Sequence, residues 1–218
     1  MVDDILMAKL VVFEGIDGSG KKKHVELLKE HLEQSGFKVA IFSFPRYEHF
    51  YGQLIGKYLR GEFGDPDPIL ISVLFAIDRL HAKNELLDAL KENDFVLVDR
   101  YVPSNQAHQG ARSNDWRWFV EFVEEKEYVI NRMPQPDLVI YLDVPVDVAR
   151  ERILKKGKRS YIEEDMDKHE KDAVYLARVK EIYDWLAQSK KWTRVVNDDL
   201  HRASREIFEK VIKLVKRE

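Results

Sequence analysis

Residues 10–24 read LVVFEGIDGSGKKKH, an apolar run followed by a glycine-rich turn and three lysines. The apolar run predicts a buried strand, and beyond the lysines the apolar residues recur with the spacing of a helix. The stretch matches the phosphate-binding loop pattern G-x-x-x-x-G-K-[ST] at Gly15, Gly20 and Lys21. Lys22 stands at the last position, where the pattern has serine or threonine. The stretch therefore predicts a mononucleotide phosphate site that lacks one hydroxyl.

The chemistry of a phosphate site accounts for the residue types in this loop. Glycines permit backbone conformations in which several N–H groups face one anion, and the helix that follows adds the positive end of its dipole. Lys21 is expected to contact the β- and γ-phosphates of a nucleotide. Lys22 is a cation and a donor, so it cannot bind Mg²⁺ as a hydroxyl does. A glycine-rich turn without a ligand is the alternative that the loop alone leaves open.

Composition and charge limit the classes of protein to which the chain can belong. Its 218 residues predict a single domain, and a hydrophobic fraction of 44% is typical of a globular protein. The net charge of −3 and a pI near 6.2 argue against nucleic acid or an anionic membrane as the main partner. The absence of cysteine excludes disulfides and thiolate metal sites. Without a leader-like start or an apolar run of membrane-spanning length, we expect a cytoplasmic protein.

Five apolar bursts alternate with amphipathic segments along the chain. We predict strands at residues 10–13, 38–44, 95–98, 137–144 and 193–196. We predict helices at residues 23–36, 52–59, 69–90, 113–129, 145–154, 173–188 and 202–215. The alternation indicates an α/β fold of three layers, a five-stranded parallel sheet flanked by helices. Polar residues follow the first three strands, so we expect the site at the carboxyl edge of the sheet.

Four segments, in this order, resemble the thymidylate kinase family. They are FEGIDGSGK at 13–21, FPRY at 44–47, LFAIDR at 74–79 and DRYVPSN at 99–105. The resemblance extends over essentially the whole chain and implies a P-loop kinase fold with a mobile lid. It implies phosphorylation of dTMP to dTDP for dTTP synthesis, with ATP as donor and Mg²⁺ as cofactor. It also implies a homodimer. The aromatic residues of the predicted helix at 113–129 could form part of the dimer interface, and packing in the core of the chain explains them equally well.

The resemblance assigns residues to the base and sugar of dTMP. Phe75 would stack on the thymine ring, Arg79 would donate to O4, and Asn105 would read N3. His108 stands where the family commonly has tyrosine, close to the sugar 2′ position, so selection of deoxyribose rests on a different ring.

The resemblance also assigns residues to the phosphates. Arg46 and Arg100 would hold the acceptor phosphate, and Asp17 would accept from the deoxyribose 3′-hydroxyl. Asp99 would meet Mg²⁺ through water, or alternatively anchor Lys21 or Ser19. The metal would be held mainly by phosphate oxygens and waters. The remaining residues of the implied acceptor site are Tyr47, Ser104, Asp167, His169 and Glu170.

The charged stretch 155–172 resembles the lid that closes over ATP in this family. Some members carry a catalytic arginine in the phosphate loop, where this chain has Gly18, so we expect the lid to supply the cation. We favour Arg159, and a solvated surface loop is the alternative. The other basic candidates are Arg150, Arg152, Lys155, Lys156 and Lys158. The implied ATP site comprises Gly15, Ile16, Asp17, Gly18, Ser19, Gly20, Lys21, Lys22, Lys23 and Arg152, and the implied catalytic residues are Lys21, Asp17, Arg100 and Arg159.

Three other functions remain open on the sequence. A kinase of the same fold could act on dUMP or a deoxynucleoside, although Phe75, Arg79 and Asn105 favour dTMP. A catalytically weak nucleotide-binding protein is favoured only by Lys22. Nucleic-acid binding through the basic part of the lid is opposed by the negative net charge.

Overall fold

The computed structural model describes residues 8–156 and 173–215. Its strands are β1 (Lys9–Glu14), β2 (Val39–Ser43), β3 (Phe95–Asp99), β4 (Leu138–Asp143) and β5 (Thr193–Val196). They form a five-stranded sheet in the order β2-β3-β1-β4-β5, and every neighbouring pair is parallel. The predicted α/β fold and its five strands are confirmed.

The burial of each strand follows its place in the sheet. In β1 and β3, which lie inside the sheet, nearly every residue is buried, whereas the edge strands β2 and β5 are partly exposed. A parallel strand that is covered on both faces is apolar throughout, and this explains why the central strands read as unbroken apolar runs.

The described residues contain nine α-helices and one π-helical turn. The helices are α1 (Lys21–Gln34), α2 (Phe50–Leu59), α3 (Pro68–His81), α4 (Lys83–Glu92), α5 (Val102–Gly110), α6 (Trp116–Glu124), α7 (Val146–Lys156), α8 (Ala173–Ser189) and α9 (Leu200–Ile212). The π turn, Glu125–Ile130, continues α6. Within the described ranges, no helix has the length and apolar character needed to cross a membrane.

Two predicted helices are divided in the structure. The segment 69–90 breaks at Ala82, which ends α3 and precedes α4. The apolar spacing continues through the break, so periodicity does not reveal it. The segment 113–129 changes from α to π hydrogen bonding at Glu125. The extra residue in a π turn shifts which side chains face the core, and such turns often occur at functional sites.

Helix α5 is absent from the prediction. Its sequence VPSNQAHQG has no apolar periodicity, yet seven of its first eight residues are buried. The buried polar side chains have partners, as when Gln106 Nε2 donates to the carbonyl of Val120 at 3.1 Å. Internal hydrogen bonds therefore add to the apolar contacts that this helix makes through Val102 and Ala107.

Helices cover both faces of the sheet. On one face, α1 and α9 pack Leu28, Leu32 and Ile207 against the strands. On the other face, α4 and α6 pack against the sheet through Leu86 and Phe119, and α5 and α8 form a further core beside them. The three-layer architecture is thereby confirmed, and the carboxyl ends of β1, β2 and β3 open at one edge.

Candidate active site

The glycine-rich loop joins β1 to α1 at the carboxyl edge of the sheet. Gly20 takes a left-handed conformation with φ of 96° at the N-terminus of α1, and no side chain caps that terminus. Lys21 Nζ donates to the carbonyls of Gly15 at 2.8 Å and Ile16 at 2.9 Å. Burial and, to a smaller extent, the charge of Arg100 lower the pKa of Lys21 to about 8, and nearby carboxylates oppose the shift. A buried lysine and an uncapped helix N-terminus form an arrangement suited to anions.

The loop packs tightly against α7. Gly18 has φ of 79°, and a Cβ at this position would lie 2.3 Å from the carbonyl oxygen of Ala149. No side chain fits there without movement of the backbone, so the loop cannot carry a cation at Gly18. Lys22 and Lys23 are exposed in the first turn of α1, and Ser19 is buried.

The loop also contacts the turn between β5 and α9. Asn197 Nδ2 donates to the carbonyl of Ser19 at 2.7 Å, and Arg152 donates to the carbonyl of Asn197 at 2.8 Å. The predicted ATP-binding residue Arg152, on α7, therefore lies two hydrogen bonds away from the phosphate loop.

A cleft that opens to solvent lies beside the loop. Asp17 lines it together with seven of the predicted acceptor residues, namely Tyr47, Phe75, Arg79, Arg100, Ser104, Asn105 and His108. The structure thus brings together residues that are up to 91 positions apart in the sequence.

Five further residues that line the cleft were missed from the sequence. They are Phe44, Pro45, Leu59, Gln109 and Tyr175. Tyr175, on α8, lies with its hydroxyl 3.1 Å from His108 Nδ1 and donates to the carbonyl of His108 at 3.0 Å. Phe44 and Pro45 belong to the FPRY segment and were available as a signal, whereas nothing local marks a tyrosine in an amphipathic helix as a cleft residue.

Arg100 connects the phosphate loop to the cleft. Its guanidinium donates to Asp17, and its other terminal nitrogen lies 3.2 Å from Ser104 Oγ and 3.3 Å from His108 Nε2. Burial favours the neutral form of Arg100, but Asp17 and the other acidic groups around it together outweigh burial and raise the pKa of Arg100. The backbone of Arg100 is left-handed, with φ of 66°, and its N–H donates to the carbonyl of Phe13 at 3.1 Å. A non-glycine residue held in this region is found frequently at functional sites.

The far end of the cleft holds a buried ion pair. Arg79 donates to Glu127 through Nε at 2.5 Å and through a terminal nitrogen at 2.6 Å. Asn105 Nδ2 donates to the carbonyl of Ser72 and to Glu127, each at 3.0 Å. The contact of Glu127 raises the pKa of Arg79 although burial alone would lower it. Glu127 was missed because its surroundings, EEKEY, have the composition of an exposed segment.

Arg46 does not line the cleft. Its guanidinium lies 2.7 Å from His81 Nδ1 and donates to Glu85 at 3.0 Å. Its backbone N–H donates to Asp78 at 2.9 Å. The next residue, Tyr47, does line the cleft. The predicted contact of Arg46 with an acceptor phosphate stays a prediction, and the geometry favours Tyr47 for that place.

A second buried carboxylate was also missed. Glu14, the last residue of β1, accepts from the N–H groups of Tyr101 at 2.8 Å and Ser104 at 3.2 Å. It also accepts from the hydroxyls of Ser104 at 2.7 Å and Tyr183 at 2.8 Å. Burial raises the pKa of Glu14, and these hydrogen bonds partly oppose the rise. A carboxylate at the N-terminus of α5 fixes the start of that helix against β1. The sequence signal that could have identified Glu14 is an acidic residue at the end of an otherwise apolar strand.

Comparisons with known proteins agree with this arrangement. The thymidylate kinase family model matches residues 13–207. The chain belongs to the thymidylate kinase family. The probable thymidylate kinase 1 of Saccharolobus solfataricus is 35% identical over 212 residues, covering 97% of this chain and 98% of the relative. The thymidylate kinase of Mycobacterium tuberculosis is 32% identical over 183 residues, covering 82% and 85%.

A solved structure supports the fold. The thymidylate kinase of Candida albicans superposes with a TM-score of 0.74 at 18% identity, covering 96% of this chain and 93% of that one. At this identity the likeness concerns the fold alone. Membership of the thymidylate kinase family identifies the chain as a phosphotransferase.

Thymidylate kinase chemistry implies a metal ion, and one carboxylate fits it. Asp99, at the end of β3, has a buried Oδ1 without a hydrogen-bond partner among the described residues. No group of three His, Cys, Asp or Glu side chains able to hold a metal occurs within residues 8–156 and 173–215. Asp99 is therefore the candidate contact to the ion that is considered below.

The predicted lid lies largely outside the described residues. Lys155 and Lys156, predicted as its first residues, are the last two residues of α7. Arg150 is exposed on the same helix. Four predicted site residues and the candidate Lys158 fall outside the described ranges; the four are Arg159, Asp167, His169 and Glu170.

Proposed function

We propose that this chain transfers the γ-phosphoryl group of ATP to dTMP. The observation that carries the proposal is the Arg100–Asp17 pair, which joins a phosphate loop to a cleft lined by aromatic, amide and guanidinium groups. A donor site and an acceptor site that share one ion pair are suited to direct transfer between two bound nucleotides.

The loop would bind the donor. The uncapped N-terminus of α1 offers N–H groups to the β-phosphate, and Lys21 would leave its two carbonyl partners to contact the γ-phosphate. Residues 15–23 and Arg152 are the proposed ATP site. Arg152 is held by Asn197, which also bonds the loop, so this side of the site is preassembled.

The cleft would bind the acceptor. Phe75, Arg79 and Asn105 line the cleft; Phe75 would stack on thymine, and Arg79 and Asn105 would read its polar edge. Arg100 and Tyr47 would hold the acceptor phosphate, with Ser104 supporting Arg100.

The sugar would lie between two groups at the mouth of the cleft. Asp17 would accept from the 3′-hydroxyl, and His108, held by Tyr175, would occupy the space beside the 2′ position. Bulk at that point would disfavour a ribonucleotide. The proposed roles of Asp167, His169 and Glu170 at this pocket rest on the family resemblance.

The reaction needs alignment and charge neutralisation more than covalent help. An acceptor phosphate oxygen, already ionised, attacks the γ-phosphorus, the bond to the bridging oxygen breaks, and ADP leaves. No general base is required. Arg100 would hold the attacking phosphate in line, and Lys21 would neutralise charge that develops on the transferred group. Arg159 is the proposed lid cation.

Magnesium belongs to the proposal through Asp99. When bound, Mg²⁺ neutralises the phosphate oxygens of the donor and of the transition state. Asp99 would orient a metal-bound water with its unpartnered Oδ1. Lys22 would add positive charge near the β-phosphate where a hydroxyl is missing.

The wider setting of the proposal rests on family membership. We propose a single-domain kinase (residues 1–218, with the lid at about 155–172) that acts in dTTP synthesis as a cytoplasmic homodimer. Size-exclusion chromatography with light scattering tests the dimer directly.

The decisive experiment measures ADP formation with dTMP, dUMP, dGMP and the 2′-hydroxyl analogue of dTMP as acceptors. We expect the highest kcat/KM with dTMP. A preference for another acceptor would refute the proposed substrate.

A Mg²⁺ titration separates an active kinase from a nucleotide-binding protein. Lys22→Thr restores the hydroxyl, and Lys23→Thr, at the neighbouring exposed lysine, is the matched control. We expect turnover in the natural protein and a lower Mg²⁺ midpoint only in Lys22→Thr. Nucleotide binding without turnover in the natural protein, with turnover gained in Lys22→Thr, would show that the chain is a weak binder.

A further inference from the structure

The buried carboxylate at the end of the cleft has no part in the proposed transfer chemistry. Glu127 is fully buried, and its two oxygens accept from Arg79 at 2.5 and 2.6 Å and from Asn105 at 3.0 Å. It reaches this position from the π turn that continues α6. A π turn in a helix that is otherwise regular marks a place where one side chain has been redirected.

The contacts of Asn105 fix the orientation of its amide. Its nitrogen donates to two acceptors, the carbonyl of Ser72 and a carboxylate oxygen of Glu127. A flipped amide would place its oxygen against both acceptors, and each contact would be repulsive. Its Oδ1 is buried and has no hydrogen-bond partner within the described ranges. Asn105 lines the cleft, so this oxygen is an acceptor available to a ligand.

We propose that Glu127 is a positioning residue that selects an imide base. By holding the nitrogen of Asn105, it leaves an oxygen to accept from the N3–H of the base. By holding two nitrogens of Arg79, it leaves the other terminal nitrogen to donate to the neighbouring carbonyl. This inference rests on the proposed function, since it concerns the acceptor base.

The protein then presents the base with one acceptor, Asn105 Oδ1, beside one donor, the remaining terminal nitrogen of Arg79. Thymine and uracil offer N3–H and O4, which complement Asn105 and Arg79. A 4-aminopyrimidine offers the opposite pattern, so its N3 lone pair would face Oδ1 and its amino group would face the guanidinium. Inside a buried site, such mismatches leave polar groups unpaired and are strongly rejected.

The test compares dTMP with 5-methyl-2′-deoxycytidine monophosphate, which keeps the methyl group and inverts the polar edge. Glu127→Gln lets its own amide accept or donate, so only the Ser72 carbonyl still fixes the orientation of the Asn105 amide. We expect the ratio of kcat/KM values between the two substrates to fall about tenfold or more. Glu125→Gln, an exposed glutamate on the same turn, is the matched control and should leave the ratio unchanged.

The ratio separates positioning from a structural role. Damage to the fold lowers activity with both substrates in proportion and keeps the ratio, and that result would overturn the inference.

Two further measurements keep the inference testable in every case. If the wild-type protein shows no turnover with dTMP, the proposed function fails. Titration calorimetry then gives the Kd values of the two mononucleotides, and their ratio takes the place of the kcat/KM ratio. If Glu127→Gln does not fold, the side-chain NH₂ signal of Asn105 in the wild-type NMR spectrum decides, assigned through Asn105→Asp. We expect slow exchange of both protons with water, and rapid exchange would show that the amide is not held.

Discussion

Lys21 makes nucleotide binding dependent on pH in a range where few other groups titrate. Its ammonium group is buried in the phosphate loop, and burial lowers its pKa to about 8 from the ordinary 10.5. A bound triphosphate would surround Lys21 with negative charge and return the pKa towards the ordinary value. Below pH 8 the lysine is charged with or without nucleotide. Above pH 8 the free protein has lost the proton, and binding must take it up again.

The size of the effect follows from linkage. Between about pH 7.5 and about pH 9.5, the charged fraction of Lys21 in the free protein falls from roughly three quarters to about 3%. If the complex keeps a pKa near 10.5, the apparent Kd for ATP rises about 20-fold over this range. Titration calorimetry in buffers of different ionisation enthalpy should show an uptake approaching one proton per nucleotide near about pH 9.

Lys21→Arg supplies the control, because arginine stays charged throughout this range. Its Kd should be nearly independent of pH. The difference in the free energy of unfolding between the wild-type and Lys21→Arg proteins should also change between about pH 8 and pH 9.5. The wild-type protein gains stability there, since its unfolded chain binds the proton more strongly than the folded one. Equal pH profiles of nucleotide affinity in the two proteins would refute the reasoning.

Two more predictions concern the acceptor side. A Cβ at Gly52 would lie 1.9 Å from the carbonyl oxygen of Arg46, whereas a Cβ at Gly56 would meet nothing nearer than a flexible side-chain end at 3.4 Å. Gly52→Ala should displace the FPRY turn and raise KM for dTMP about tenfold or more, while Gly56→Ala should keep KM and stabilise α2 by about 0.5–1 kcal/mol in urea unfolding. Arg100→Met should lower kcat/KM about 100-fold or more, and Arg46→Met should lower it less than about fivefold, because Arg100 lines the cleft and Arg46 does not. A larger loss in Arg46→Met would restore the phosphate role predicted from the sequence.

The fold was predictable where apolar contacts determine it. The central strands β1, β3 and β4 are apolar runs because a parallel sheet covered on both faces buries both sides of each inner strand. The break at Ala82 was not predictable, since the residues on both sides of it keep the same apolar spacing. Helix α5 was missed for another reason: many of its buried residues are polar, so its sequence has no apolar periodicity.

The site was predictable where a motif defines a loop. Lys21, Arg100 and most residues of the cleft lie where the segments indicated, although their roles stay predictions. The FPRY motif did not show which of its residues line the cleft: Tyr47 does, whereas Arg46 is paired with Glu85 and its phosphate contact stays a prediction. Glu127 shows a second limit, since a partner buried through an ion pair has the composition of a surface residue.

The acceptor half of the site is built on a nine-residue helix that two buried carboxylates hold in place. Glu14 binds the start of α5 and Glu127 binds Asn105 in its middle. Each carboxylate also acts on a guanidinium that lines the cleft: Glu14 stabilises the charge of Arg100 from a distance, and Glu127 pairs directly with Arg79. The cations can therefore stay charged while partly or wholly buried, because the same carboxylates that position the helix compensate the cost of burying them. Substitution of either glutamate should change ligand recognition and local structure together, so only a selectivity ratio, and not a loss of activity, can separate the two.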